Sequence, residues 1–221
     1  MCGRFTQRKE AARVAEFYGI EEEEPELESE PRYNIAPQQM IQAVTAEKRL
    51  VRLKWGLLPS WAKDPKIANN LINARAETLQ EKPSFRTALA KRRCLIPADG
   101  WYEWKKAADG KQPYFFHRRD DNLFSFAGLW EEWRSPEGES VKTCTIITTE
   151  AVGPLAQVHD RMPLTISAGD WDHWLDPDAP VDQGLLRGHG DLDRIAIREV
   201  STLVNSVRNN GPELLEAVEG S

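Results

Sequence analysis

The sequence predicts an α+β fold: a single domain with a curled, mainly antiparallel, barrel-like β-sheet core and peripheral helices. Three observations lead there. The middle of the chain alternates short β-branched and aromatic runs with turn signals, apolar stripes at helical spacing flank that middle, and 221 residues with 40% apolar content suit one large core better than two small ones.

Taken in order, Lys9 to Tyr18 places Ala11, Val14, Ala15 and Tyr18 on one helical stripe that stops at Gly19. Glu21 to Glu30 is a glutamate run, broken by Pro25 and Leu27, that reads as a solvated loop. Met40 to Thr45 and Leu50 to Leu57 read as strands, and Pro83 with Phe85, Ala88 and Leu89 as a helix with proline in its first turn. Strands follow at Cys94 to Ala98, Trp101 to Lys105, Tyr114 to His117, Leu123 to Leu129 and Thr143 to Thr148. Turn signals at Asp99-Gly100, Asp109-Gly110 and Asp120-Asp121 separate them and suggest antiparallel meanders. Helices are expected at Pro154 to Val158 and Ala168 to Leu175, and final strands at Ile195 to Val200 and Leu203 to Val207.

No run approaches the roughly 18 apolar residues of a membrane span, and the first twenty residues lack a signal-peptide core, so an intracellular protein is expected. Cys2, Cys94 and Cys144 are an odd set without a C-x-x-C pair, and the four histidines have no metal-ligand spacing; neither metal nor cofactor is expected. A net charge of −6 argues against coating nucleic acid by bulk charge, so any DNA contact must be a focused patch. The candidates are Arg4, Arg32, Arg75, Arg161 and the cluster Lys91, Arg92, Arg93.

Four places carry possible chemistry. Removal of Met1 would leave Cys2 with an α-amine and a thiol on one residue. An α-amine titrating near 7.7 to 8.0 is about a tenth neutral at pH 7, a few hundredfold more than a lysine. It can form an imine with an aldehyde, and the thiol can close that imine to a five-membered thiazolidine. Leu71 to Glu77, if extended, aims Asn73, Arg75 and Glu77 one way; the plain alternative is a solvent-facing edge strand. Within Asp99 to Trp104, alternation sets Trp101 and Glu103 against Tyr102 and Trp104, and a carboxylate beside a large aromatic is a candidate acid or base. His159 enters a proline-constrained turn with Arg161, offering a proton shuttle and a phosphate fork, or simply a structural histidine.

The ordered set Met1-Cys2-Gly3-Arg4-Phe5, Tyr33-Asn34-Ile35-Ala36-Pro37, Trp55-Gly56, Asn73-Ala74-Arg75-Ala76-Glu77, Pro97 to Trp104 and His159-Asp160-Arg161-Met162-Pro163 resembles the SOS-response-associated peptidase (SRAP) family. The resemblance runs to Val207 through Leu214, so residues 1–221 are expected to form one such domain, with Met1 removed. It implies crosslinking to abasic sites in single-stranded DNA, single-strand/duplex junctions included, by a monomer of the cytoplasm that joins the nucleoid when bound. It implies Cys2 as nucleophile, Asn73 orienting Cys2 and the opened sugar, Glu103 transferring protons in ring opening and reversal, and His159 assisting imine formation. Arg4, Arg75, Thr148 and Arg161 would hold phosphates, and Asn34, Pro37 and Trp61 would meet splayed bases. The loop Pro59 to Ile67 departs from the family in having one tryptophan followed by alanine, and in its length up to Asn73. The competing functions are an N-terminal-nucleophile thiol amidohydrolase or peptidase, and a noncatalytic single-strand-binding module whose complexes are reversible and salt-sensitive.

Overall fold

The strands that alternation picks out close into a ring in the computed structural model, which describes residues 2–21, 30–108, 110–187, 190 and 192–218. The strands of the described residues are β1 (Arg4–Gln7), β2 (Arg32–Ile35), β3 (Met40–Val44), β4 (Leu50–Trp55), β5 (Asn73–Arg75), β6 (Arg93–Ala98), β7 (Gly100–Ala107), β8 (Gly110–Arg118), β9 (Phe124–Arg134), β10 (Ser140–Glu150), β11 (Arg161–Pro163) and β12 (Ile195–Glu199), of which β1, β2 and β11 were not expected from the sequence. Strands β10, β4, β3, β6 and β9 pair in turn, and β9 pairs back onto β10, so this sheet is a closed barrel; β5 and β11 also pair with β10. The ring is antiparallel except where β10 runs parallel to β4, and β5 is likewise parallel to β10. A second sheet, in the order β12-β8-β7-β1-β2, is antiparallel throughout. The fold is therefore α+β with a mainly antiparallel, barrel-like core.

Between the sheets lies a core that includes Cys2, Phe5, Trp55, Trp101, Phe116, Phe124 and Phe126. Trp101 stacks on Phe116 and meets Phe124 and Phe126 edge-on, arrangements that add to area burial. A second core gathers helix α1 (Ala11–Tyr18), helix α2 (Pro83–Lys91) and Trp174 of helix α3 (Trp171–Leu175) against the barrel. Helix α1 ends as its sequence indicates, with Gly19 at φ 64° and its N–H on the Ala15 and Glu16 carbonyls. Helix α4 (Gln183–Arg187) carried no sequence signal that marked it out.

Four expectations are corrected. Asp99-Gly100 and Asp120-Asp121 are not hairpin turns: each carries the chain from one sheet to the other, since β6 and β9 belong to the barrel, and β7 and β8 to the second sheet. Gly100 is required there because a Cβ would lie 2.3 Å from the Phe116 carbonyl oxygen. Leu203 to Val207 is not a strand. Ser201 accepts the Leu203 N–H on its side chain and starts a 3-10 turn over Thr202–Asn205, a local alternative to ladder bonds. Pro154 to Val158 is a 3-10 turn over Gly153–Gln157 rather than an α-helix. Finally, Glu77 leaves the extended run, because a 3-10 turn begins at Ala76. The acidic run lies outside the described residues from 22 to 29, as does His189.

The candidate active-site cleft

Cys2 enters the core just ahead of β1, whose register with β7 sets Arg4 opposite Tyr102 and Phe5 opposite Trp101. That register carries the start of the chain toward Glu103. The Cys2 thiol is fully buried. Burial, and next the neighbouring Glu103 carboxylate, push it well above the ordinary thiol range.

Glu103 shares the Trp101 face of β7, as alternation predicts, and is buried with it, while Tyr102 turns to a satellite cluster with Val200, Val204 and Leu214. Desolvation raises the Glu103 carboxyl to about 8. His159 follows the turn Gly153–Gln157, and its Nε2 lies 3.9 Å from Glu103 Oε2. Burial lowers its titration below 6.5. At neutral pH the two are therefore a protonated acid facing a neutral imidazole, and not an ion pair. The Arg161 N–H lies 3.0 Å from His159 Nδ1, a bond that needs Nδ1 unprotonated. Asp160 Oδ1 is also 2.9 Å from Nδ1. That contact needs a proton on Nδ1, which in the neutral ring leaves the Nε2 lone pair toward Glu103, so the two Nδ1 contacts belong to different tautomers.

Arg4, Glu103, Trp104, Lys111, His159 and Asn205 line an open cleft of about 470 Å³. Asn73 is placed at the first residue of β5, opposite Ile146 of β10, and the Trp55 indole N–H fixes the preceding Ile72 carbonyl at 2.8 Å. The neighbouring Gly56, at φ 130°, leaves room where a Cβ would meet Gln38 Nε2 at 2.4 Å and the Ala68 oxygen at 2.9 Å. Asn73 Nδ2 donates to Ile72 O at 3.0 Å and Ile146 O at 3.5 Å, while its buried Oδ1 has no hydrogen-bond partner among the described residues. It is an acceptor held ready for an N–H or O–H.

Three expected phosphate ligands stand on adjacent strands: Arg75 on β5, Thr148 on β10 and Arg161 on β11. Arg75 is exposed. Thr148 is buried, and its carbonyl accepts from Arg161 at 2.6 Å. Arg161 is forked onto Glu77, with bonds of 2.7 and 3.0 Å that hold the Glu77 carboxyl below its usual range.

Arg4 donates to the Asn34 side chain and the Val204 carbonyl at 2.8 Å each. Asn34 is buried, and its amide donates to the carbonyls of Val204, Ser206 and Asn209, fastening the tail beside the cleft. Pro37 and Trp61 sit on loops and do not line the cleft. Trp61 is 55% exposed on a loop pinned by Ala62, whose carbonyl accepts from Trp133 at 2.7 Å.

Among the basic candidates, Arg93 is buried and ties down the carbonyls of Leu89, Trp174, Asp176 and Ala179. Arg92 pairs with Glu131, and Lys91 with Asp178. The Lys91–Arg93 cluster thus serves the fold. Arg32 bonds the Met40 carbonyl and the Gln39 side chain. Sequence reasoning missed Lys111 and Asn205 and gave Trp104 no role; strand register, which sets Trp104 opposite Pro113 and Lys106 opposite Lys111, puts Trp104 and Lys111 on one face of the hairpin. Among the described residues no group of three or more His, Cys, Asp or Glu could hold a metal ion, and no helix is long and apolar enough to cross a membrane.

Comparison with known proteins agrees along the whole chain. The abasic site processing protein YoqW of Bacillus subtilis is 46% identical over 224 residues, covering 98% of this chain and all of that one. The abasic site processing protein HMCES of Gallus gallus is 32% identical, covering 99% of this chain and 78% of that one. A crystal structure of a protein from Bacteroides thetaiotaomicron superposes with a TM-score of 0.89 at 26% identity, covering 98% of this chain and 100% of that one. A phage-related protein of Bordetella bronchiseptica gives 0.72 at 30% identity, covering 90% and 94%. The family profile described as SOS response associated peptidase (SRAP) matches residues 1–207, and this chain belongs to that family.

Proposed function

We propose that the protein processes abasic sites in single-stranded DNA by joining them covalently through Cys2. The observation that carries this reading is that Glu103 and His159 line one cleft, their titrations displaced in opposite directions, with the buried Cys2 thiol near enough to Glu103 to feel its charge. Its relatives' names, abasic site processing protein, point the same way.

Hydrolysis of the Met1–Cys2 peptide bond, an autopeptidase step, exposes the Cys2 α-amine. An abasic sugar must open from its cyclic hemiacetal before it offers an aldehyde. Glu103 donates a proton to the ring oxygen while His159 receives the hydroxyl proton. The α-amine then adds to the aldehyde carbon, and loss of one water leaves the imine, a lyase-like intermediate. Addition of sulfur forms the S–C bond, the thiol proton passes to nitrogen, and the thiazolidine is complete. Asn73 Oδ1 accepts a hydrogen bond from the amine or a sugar hydroxyl and orients it during these steps. Arg4, Arg75, Thr148 and Arg161 hold backbone phosphates, and Asn34, Pro37 and Trp61 meet flanking bases. The protein acts as a monomer in the cytoplasm, on the nucleoid when bound, at abasic sites in single strands or at their junctions with duplex.

The test is a single-stranded oligonucleotide carrying one abasic site, mixed with purified protein and resolved under denaturing conditions. A heat-stable shifted band is expected. Reversible, salt-sensitive binding with no covalent band would leave only a binding module.

A further inference from the structure

One face of the β9–β10 ladder grips the loop that joins β4 to β5. Register sets Glu131 opposite Thr143 and Trp133 opposite Val141. Residues two apart on a strand share a face, as do directly opposed residues on neighbouring strands, so these four side chains form one patch. Three of them hold the loop backbone at alternate residues. Thr143 Oγ1 accepts the Leu58 N–H at 2.9 Å, Glu131 Oε2 accepts the Ser60 N–H at 3.3 Å, and the Trp133 indole N–H donates to the Ala62 carbonyl at 2.7 Å.

Within that grip the Ala62 N–H donates to the Pro59 carbonyl at 2.8 Å, which makes Trp61 the i+2 residue of a β-turn. Leu58, Ala62 and Ala68 are buried with Trp133 in one cluster, whereas Trp61 is 55% exposed. A single exposed tryptophan carries little meaning by itself, and surface loops are ordinarily the mobile part of a fold. Here the backbone on both sides of the ring is tied to β9. The base of the loop is closed as well, by the Leu57 N–H on the Leu71 carbonyl at 3.1 Å, two residues before Asn73. The turn therefore keeps a fixed relation to the site of chemistry, although Trp61 stands outside the cleft.

We propose that Trp133 and Glu131 are positioning residues that hold Trp61 in place before DNA arrives, so that its ring meets a base of the flanking strand as a ready-made stacking surface. Ordering a side chain and its loop during association opposes binding. The bonds from β9 remove that cost by ordering the turn when the protein folds. This inference rests on the proposed DNA function and on Trp61 as a base contact.

The experiment measures binding of an undamaged single strand by fluorescence anisotropy, with no crosslink formed, for the wild type, Trp61→Ala, Trp133→Phe and the double variant. Trp133→Phe keeps an aromatic ring against Leu58 and Ala62 but has no N–H to donate. Trp61→Ala should weaken binding roughly tenfold, and Trp133→Phe about threefold to fivefold. The double variant should bind no more weakly than Trp61→Ala, because Trp133 acts through Trp61. Hydrogen exchange in Trp133→Phe should quicken over residues 58–62 while β9 and β10 keep wild-type protection. Glu131→Gln retains an acceptor for the Ser60 N–H and should bind nearly as the wild type does, where Glu131→Leu should match Trp133→Phe.

Losses that multiply in the double variant, or unchanged binding by Trp133→Phe, would overturn the positioning role; failure of Glu131→Gln to rescue would remove Glu131 from it. Equal binding by Trp61→Ala and the wild type would overturn the proposal through its base contact. Absence of a crosslink from wild-type protein defeats the functional reading instead and leaves these binding comparisons decisive, whereas a wild type that binds no single strand defeats both.

Discussion

His159 Nε2 stands 3.9 Å from Glu103 Oε2, and the fold displaces their titrations in opposite senses, His159 below 6.5 and Glu103 up to about 8. Their ordinary charge states at neutral pH are thereby changed for the carboxyl and secured for the imidazole. Separation of the two titrations divides the roles of acid and base, and the first prediction follows from it.

Glu103→Gln should slow crosslinking by about a hundredfold, the lower range for loss of a general acid or base, with binding of intact single strands nearly unchanged. In the wild type the rate should fall as pH rises through about 8, where Glu103 loses its proton; the variant should lack that limb. A rate profile that keeps the limb in the variant would assign it to another group.

The same carboxyl makes stability depend on pH. The folded protein holds this proton more tightly than the unfolded chain does, so the penalty is absent below 4.5, grows as pH rises, and is complete above about 8. At about 1.4 kcal/mol per pH unit of displaced titration, its ceiling is about 4 to 5 kcal/mol. Glu103→Gln should therefore raise the melting temperature at pH 9 and leave it near the wild-type value at pH 4. Equal gains at both would refute the linkage.

Cys2→Ala and a chain blocked against Met1 removal should both lose the heat-stable band. Cys2→Ser keeps the α-amine without the thiol, so borohydride should trap an imine that otherwise hydrolyses. A stable untrapped band from Cys2→Ser would show that sulfur is dispensable.

Arg161 is engaged by Glu77 before any phosphate arrives. Glu77→Gln removes that competing carboxylate and should tighten single-strand binding several-fold, steepening the salt dependence by up to about 0.7. Fluorescence anisotropy across a salt series reads both quantities. Weaker binding would mean that the pair positions Arg161 for its ligand.

Asn34→Ala removes a buried amide that serves the Val204, Ser206 and Asn209 carbonyls. The expected loss is about 2 to 3 kcal/mol, the range for stranding buried acceptors. Hydrogen exchange should quicken over residues 203–210 before it quickens in the barrel; uniform quickening would place the damage in the core.

Much of this protein was legible along the chain because alternation and stripes are local properties. The period of two put Trp101 and Glu103 on one face, and it was correct. The glycine after Tyr18 ended helix α1 where expected. Motif order also led to Cys2, Glu103 and His159 as one group. Local pattern failed at Leu203 to Val207, where a serine hydroxyl captured the backbone, and at Asp99-Gly100, where a turn signal marks a change of sheet.

By itself the sequence determined which side chains are apolar and where the five strands of the barrel ring run, since those follow from residue type and spacing. Tertiary structure alone decided which cations are already occupied, how β10 comes to lie parallel to β4 and β5, and how far Glu103 and His159 are displaced from their usual titrations. The physical reason is that strand pairing, desolvation and charge pairing depend on neighbours distant in the chain, and only closure of the barrel brings those neighbours together.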